Sequence, residues 1–377
     1  MVSRKLHINW FGKRVHSFHF FGVMGYILGT VLGVFLSSQL NLRVEIVLLM
    51  AGIGAATFFG LTYLSKWIAG GETIVYYHHE ISILVLCTLT LYFLRLPILP
   101  YLDITLLGIG VFLAFGRIGC YSVGCCHGRP HKHGVKYGQQ HVDAGFTWFY
   151  KDVPLFPVQL IESAYVFITI IVGSILLLNH VVPGTVLVCY TVIYGMMRYM
   201  LEFFRGDPER PLWLGISEAQ WTTLALIAIS FGMSLLGWLP RYDWHLWILI
   251  IITIISMIII LYYRKNANYF LFNPPHVKQM AIGLEFLNSK RLSASPANTK
   301  EVTIYSTREG LSLSTGDFAE NKSETKHYTV SFRIATVMNK ELAIKIGRLI
   351  AELRKHSGRY ELIEKQKGIY HILFKPG

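Results

Sequence analysis

Charge is what this sequence has least of. Acidic and basic residues together make up 15% of its 377 positions, against 53% hydrophobic and 14% aromatic. A soluble domain carries about a quarter charged residues, so the composition excludes a wholly soluble chain. Cysteine is scarce as well, with five in all and no C-x-x-C pair. That excludes a disulfide-dense scaffold and the paired spacing of a structural zinc site. Basic and aromatic residues do not interleave as they do in RNA-binding modules, so nucleic acid is not an expected partner. No internal repeat stands out. No Ala-x-Ala cleavage site follows the first apolar run, which therefore reads as an anchor rather than a removable signal.

Apolar runs are what the chain has in quantity. Crossing a bilayer takes roughly 20 mostly apolar residues as a helix. Eight runs qualify: Phe18–Ser38, Val44–Tyr63, Ile74–Leu94, Ile98–Ile118, Pro157–Asn179, Pro183–Phe204, Ala219–Leu239 and Trp244–Tyr263. Beyond Tyr263 the composition turns polar. "NSKRLSASPANTK" reads as linker. "EVTIYS" and "HYTVSFRI" alternate like strands, and "NKELAIKIGRLIAELRKHSG" places Leu342, Ile346, Leu349 and Leu353 on one helical face, with Asn339 as N-cap and Gly358 as stop. "RYELIEKQKGIYHILF" reads as a hairpin turning at Lys367-Gly368. The expected fold is thus an all-α polytopic membrane protein of seven or eight transmembrane helices with a small α+β C-terminal domain. The expected divisions are a multi-span domain over 1–263, a linker over 264–300 and a basic soluble domain over 301–377.

The net charge of +13 is uneven. From Arg264 onward, 19 Lys+Arg less 10 Asp+Glu gives +9, leaving 16 less 12, or +4, for the rest. A basic tail beside a membrane suits anionic headgroups. The basic residues of the loops also fall mostly on the side of the termini and of the loops after runs two, four and six. By the positive-inside rule that side is the cytoplasm.

Charged residues inside apolar runs cost about 2.5–3.5 kcal/mol or more each, so they mark function or pairing. "RYMLEFFRGDP" sets Arg198, Glu202 and Arg205 at i, i+4 and i+7, where the glutamate can bridge both arginines. Guanidiniums at a membrane boundary suit a phosphate, since each offers a planar fork of donors. "FPVQLIESAY" sets Gln159 and Glu162 on one face, and a buried Glu162 needs a cation, Arg117 or Arg198. "IVYYHHEISIL" brings Tyr76, Tyr77, His78, His79 and Glu80 together, with histidine suited to moving a proton near neutral pH. "GRIGCYSVGCCHGRP" closes the fourth run, and its Gly116, Gly119, Gly124 and Gly128 allow close approach to a ligand. Its Cys120, Cys125 and Cys126 suit metal ligation, a disulfide outside the cytosol, or packing as small apolar side chains. The C-x-x-x-x-C-C spacing argues against the first, so neither a metal nor any other cofactor is expected.

Three segments in order, "FGRIGCYSVGCCHGRP", "FPVQLIES" and "YGMMRYMLEFFRGDP", together with "HFFGVMGY" in the first run, resemble the prolipoprotein diacylglyceryl transferase family. The resemblance covers roughly Phe18 to Leu239. It implies a bacterial cytoplasmic (inner) membrane enzyme that moves a diacylglyceryl group from phosphatidylglycerol to the lipobox cysteine thiol of a prelipoprotein, with its signature loop on the exterior. Carried over residue by residue, it implies Arg117 and Arg205 as essential arginines and His78 as the catalytic histidine. It also matches Gly128, Gln159 and Glu162 to substrate-site positions; with the residues read above, Gly116, Gly119, Cys120, Arg198 and Glu202 complete the expected substrate-binding set. The chain departs from the family pattern in having Cys120 for an asparagine, Cys125 for a glutamate, and His79 and Glu80 for two glycines. Two other functions fit the same residues: a phospholipid-dependent transferase with a non-lipoprotein acceptor, and a non-catalytic lipid-binding scaffold.

Overall fold

The computed structural model describes residues 5–70, 76–208, 210, 212–265, 271–293, 303–316, 326–332, 338–355 and 360–374. Two compact units emerge. One comprises 1–128, 157–205 and 211–264; the other comprises 129–156, 206–210 and 265–377.

The first unit opens with a hairpin, β1 (His7–Trp10) and β2 (Lys13–His16). It then holds α1 (Ser17–Gln39), α2 (Val44–Ala69), α3 (Tyr76–Phe93) and α4 (Ile98–Val123). The helices α6 (Val158–Leu178), α7 (Thr185–Leu201), α8 (Glu218–Leu235) and α9 (Asp243–Lys265) complete it, with a two-residue hairpin, β4 (Leu212–Trp213) and β5 (Ile216–Ser217), ahead of α8. Each apolar run of the sequence thus coincides with a helix. Among the described residues six of them, α1, α2, α4, α6, α7 and α9, are long and apolar enough to cross a membrane.

Small residues let α1 and α4 touch through their backbones. A Cβ on Gly29 would sit 2.7 Å from the Gly108 carbonyl oxygen, and one on Gly25 2.8 Å from Phe115. Such close approach is how helices associate where lipid supplies no hydrophobic drive. α4 is also pinned to α7. The buried Asp103 carboxylate accepts from the backbone N–H groups of Gly184 and Leu187, both at 2.7 Å, at the N-terminus of α7 where four donors lack helical partners. The far ends of α4 and α7 carry the charged residues described below.

Two boundaries differ from expectation. α4 runs past Ile118 to Val123, because nothing in "RIGCYSV" breaks a helix before Gly124, whose φ of 90° ends it. Gly116 and Gly119 are therefore helical rather than part of an open loop, and Gly119 packs against Phe18 at the start of α1. α7 stops at Leu201 and tightens into a short 3₁₀ turn over Glu202–Phe204. Arg205 follows in extended conformation, so it is not on one α-helical face with Arg198 and Glu202.

The second unit is built on an antiparallel sheet ordered β6-β7-β8-β10-β9. Its strands are β6 (Ile304–Ser306), β7 (Leu311–Gly316), β8 (Lys326–Phe332), β9 (Tyr360–Gln366) and β10 (Ile369–Phe374), and β9 and β10 turn at Lys367-Gly368 as expected. In α11 (Lys340–Arg354) the Asn339 side chain accepts from Leu342 N–H at 2.8 Å, and Leu342, Ile346, Leu349 and Leu353 are buried. Gly358 and Pro296 lie outside the described residues; the helix ends at Lys355 in the left-handed region. The segment 264–300 carries a helix, α10 (Pro274–Ser293), where linker was expected. The core of the unit also extends beyond 301–377. Met280, Leu284, Ile346 and Ile350 share it with Tyr137, Phe149, Tyr150 and Leu155, which come from the connection holding β3 (Pro130–Val135) and α5 (Gln139–Asp143).

Candidate functional site

Glu162 is the centre of a buried charge cluster in the first unit. It sits one turn into α6 with its side chain 1% exposed. Its Oε2 lies 2.8 Å from Arg117 Nε on α4, and its Oε1 lies 3.7 Å from Arg198 Nε on α7. Tyr194, one turn before Arg198, donates its hydroxyl to Glu162 Oε1 at 3.0 Å. Arg198 Nη1 reaches Glu202 Oε2 at 2.6 Å. Arg205 is buried and acts electrostatically on Glu162, Arg117 and Arg198. An isolated antiparallel bridge pairs it with Gly128, so the last glycine of the α4 turn and the arginine after α7 are held together. Gln159 Nε2 donates to the Cys125 carbonyl at 2.8 Å, and Ser163 to the Ala114 carbonyl at 2.9 Å, fastening α6 to both ends of the signature.

Arg117 and Arg198 thus share Glu162, Arg198 also pairs with Glu202, and Arg205 stands in the same buried field. Burying guanidiniums in a low-dielectric setting is tolerable only with partners. A phosphate diester carries one negative charge and matches the fork geometry of arginine.

The sequence-predicted residues divide into two groups. Arg117, Arg198, Arg205, Glu162, Glu202, Gln159, Gly128 and Cys120 converge on this cluster. His78 does not join them: it is 60% exposed and pairs through Nε2 with Glu218 at 2.9 Å, itself 49% exposed. His79 is the buried histidine of the pair, 5.0 Å from Phe58 between ring centres. Tyr76 donates to Glu80 at 3.0 Å and Tyr77 meets Thr223 at 2.8 Å, so both hydroxyls are engaged inside the bundle. Gly116 has open space where a Cβ would stand. Tyr194 was legible only as the residue one helical turn before Arg198.

The C-x-x-x-x-C-C spacing gave no sign of what the turn after α4 does. The Sγ atoms of Cys120, Cys125 and Cys126 lie within 4.8 Å of one another. The neighbouring Cys120 and Cys125 thiols, with the Arg205 and Arg117 guanidiniums nearby, hold the Cys126 thiol well below its ordinary range, while the Cys125 thiol donates to the Cys120 carbonyl oxygen at 4.0 Å.

Apolar helices long enough to span a membrane, packed around a buried arginine–carboxylate cluster, define a multi-pass membrane protein. A family model described as prolipoprotein diacylglyceryl transferase matches residues 7–236, more than half the chain, and the chain belongs to that family. It is 30% identical over 133 residues, 35% of this chain and 51% of the relative, to a phosphatidylglycerol–prolipoprotein diacylglyceryl transferase of Clostridium tetani. It is 28% identical over 136 residues, 34% and 49% of the two chains, to a second transferase of that name in Clostridium perfringens. To the Nitrobacter winogradskyi enzyme of that name it is 31% identical over 150 residues, 38% and 49%. The chain spans about half the length of the curated relatives it matches.

Proposed function

We propose that this chain moves the diacylglyceryl group of phosphatidylglycerol to a cysteine thiol of a prelipoprotein at the Arg117–Glu162–Arg198–Arg205 cluster. The observation that carries the reading is the convergence of three buried guanidiniums, Arg117, Arg198 and Arg205, within the segment that the family model matches. Arg117 and Arg205 hold the phosphate diester and stabilise the charge that builds on the departing glycerol phosphate. Glu162, Glu202 and Tyr194 fix the guanidinium planes. Gly116, Gly128, Gln159 and Cys120 line the substrate site, and Gly119 serves the packing of α4 on α1. His78, paired with Glu218 outside this cluster, is assigned the thiol proton on the family resemblance alone. The thiol sulfur attacks the glycerol carbon, its C–O bond to phosphate breaks, and a thioether and glycerol phosphate result. Lipoprotein mass spectrometry in a deletion strain tests this scheme: loss of the diacylglyceryl mass from lipobox peptides is expected, and unchanged lipoproteins contradict it.

The reading extends to topology. The chain leaves α7 and α9 into the same folded unit, so an even number of crossings separates those helix ends, and α8 crosses the bilayer along with α9. With α3, whose 18 residues extend about 27 Å, the count is eight, in the bacterial inner membrane. The loop-charge asymmetry favours a second reading, in which the site faces the cytoplasm and the acceptor is an amine or hydroxyl on another lipid. A phosphatase reporter after Gly377 separates the two: activity there supports the prelipoprotein acceptor, and a silent fusion supports the second reading.

A further inference from the structure

The turn after α4 is shaped to gather sulfur. Gly124 closes the helix with φ 90°, its N–H bonded to the Cys120 carbonyl at 2.9 Å. Cys126 then adopts φ 56°, a left-handed conformation that costs a residue with a Cβ about 1–2 kcal/mol. Gln159 holds the Cys125 carbonyl at 2.8 Å. The result is three Sγ atoms within 4.8 Å, all of them free thiols. Packing does not account for Cys125, which is exposed. Strained backbone that brings chemically matched groups together is a mark of function.

We propose that Cys120, Cys125 and Cys126 form a three-sulfur zinc site whose open fourth position receives the acceptor thiol. The inference rests on the thiol-transfer reading above and supplies the acceptor half of the site. A tetrahedral zinc with Zn–S of about 2.3 Å sets its sulfurs about 3.8 Å apart, so closing the cluster takes movements of roughly 1 Å. Three protein ligands with a fourth position left open is the pattern of reactive rather than structural zinc. Three thiolates on a divalent cation leave one negative charge, which Arg117 and Arg205 offset. Zinc deprotonates a thiol that coordinates it, which is what an alkylation at sulfur needs. The acceptor thiol binds and releases its proton to water as it coordinates. Its sulfur lone pair forms the C–S bond to the glycerol carbon, the C–O bond to phosphate breaks, and the electron pair departs on glycerol phosphate.

The test measures metal and spectrum separately from activity. Full-length protein purified in detergent, without a polyhistidine tag, is expected to carry about one zinc per chain. Cys120→Ser and Cys125→Ser should each lower the zinc affinity by at least about tenfold, with helix content and elution volume as checks on folding. In Co2+-substituted protein, a lipobox peptide with cysteine should shift the sulfur-to-cobalt charge-transfer band, and its serine analogue should not. Substoichiometric zinc, or zinc indifferent to the serine substitutions, overturns the site. A cobalt spectrum unmoved by the thiol peptide overturns the acceptor role. Thioether formation by metal-free protein overturns the zinc inference and leaves the transferase reading standing. Stoichiometric zinc that senses the thiol peptide, with no thioether formed from phosphatidylglycerol, supports the site and removes the transferase reading instead.

Discussion

The two units of this chain are built inside out with respect to each other. The first exposes Ile171, Ile251, Met257 and Leu261 and buries Asp103, Arg117, Glu162, Arg198 and Arg205. The second buries Met280, Leu284, Ile346 and Ile350 and exposes Glu341 and Lys345. Water sorts the second unit: apolar area leaves it at roughly 25 cal/mol per Å2. Lipid cannot sort the first that way, since its chains are as apolar as leucine. There cohesion comes from backbone contact at glycines, a carboxylate capping α7, and charge pairs around Glu162. The polar interior of the first unit therefore serves stability and function at once, whereas the second can be damaged in its core without touching the site.

Substitutions should expose that difference. Glu162→Gln leaves two or more guanidiniums without their shared anion, and breaking a buried pair in this way costs about 3–5 kcal/mol. Its thermal midpoint should fall together with lipid turnover; an unchanged midpoint would show that the cluster is not what holds α4, α6 and α7. Ile346→Ala, in the second core, is expected to cost about 2–5 kcal/mol, read as protease sensitivity of the tail, with transfer by the intact fraction unchanged. His78→Ala should slow transfer by roughly 100-fold, the lower end for a general base, without altering stability, because the side chain is exposed. If His79→Ala carries the loss instead, the buried histidine is the base.

The smallest effect is one of pH. In the second unit His276 bonds to the Leu271 carbonyl at 2.7 Å and Thr307 Oγ1 at 2.9 Å, with Glu309 at 3.5 Å. Burial pushes its imidazole below the ordinary value of 6.5. The folded state thus favours neutral His276, while the unfolded chain takes up the proton at the ordinary value. Above that value the group is neutral in both states and its full stability is present; stability is lost as pH falls below it, towards the folded value. The melting temperature of the second unit should decline from about pH 7 to pH 5, and His276→Gln should flatten that decline.

Much of this was legible in the sequence where a period or a cost was involved. Runs of about 20 apolar residues announce their helices, and Arg117, Glu162 and Arg198 stand out because charge there is expensive. The face chosen by neighbours was not legible. His78 and His79 differ by 100° around α3, and only packing against α2 and α8 decides which is buried. The thiol cluster depends on left-handed backbone at Gly124 and Cys126, which linear spacing does not encode. The aromatic stretch Phe146–Tyr150 has no helical or strand period, so its place in the second core had no signal.

The central claim is that the buried guanidiniums hold a phosphate during lipid transfer. The direct measurement is mass spectrometry of purified protein with phosphatidylglycerol vesicles and a lipobox cysteine peptide, comparing the intact chain with Arg117→Ala, Arg205→Ala and Arg205→Lys. The account predicts diacylglyceryl thioether and glycerol phosphate in equal amounts from the intact chain. Both alanine variants should lose at least about 100–1,000-fold, the scale for removing one donor to developing charge. Lysine should recover little, since it lacks the planar fork. Full-rate thioether formation by either alanine variant would contradict the account.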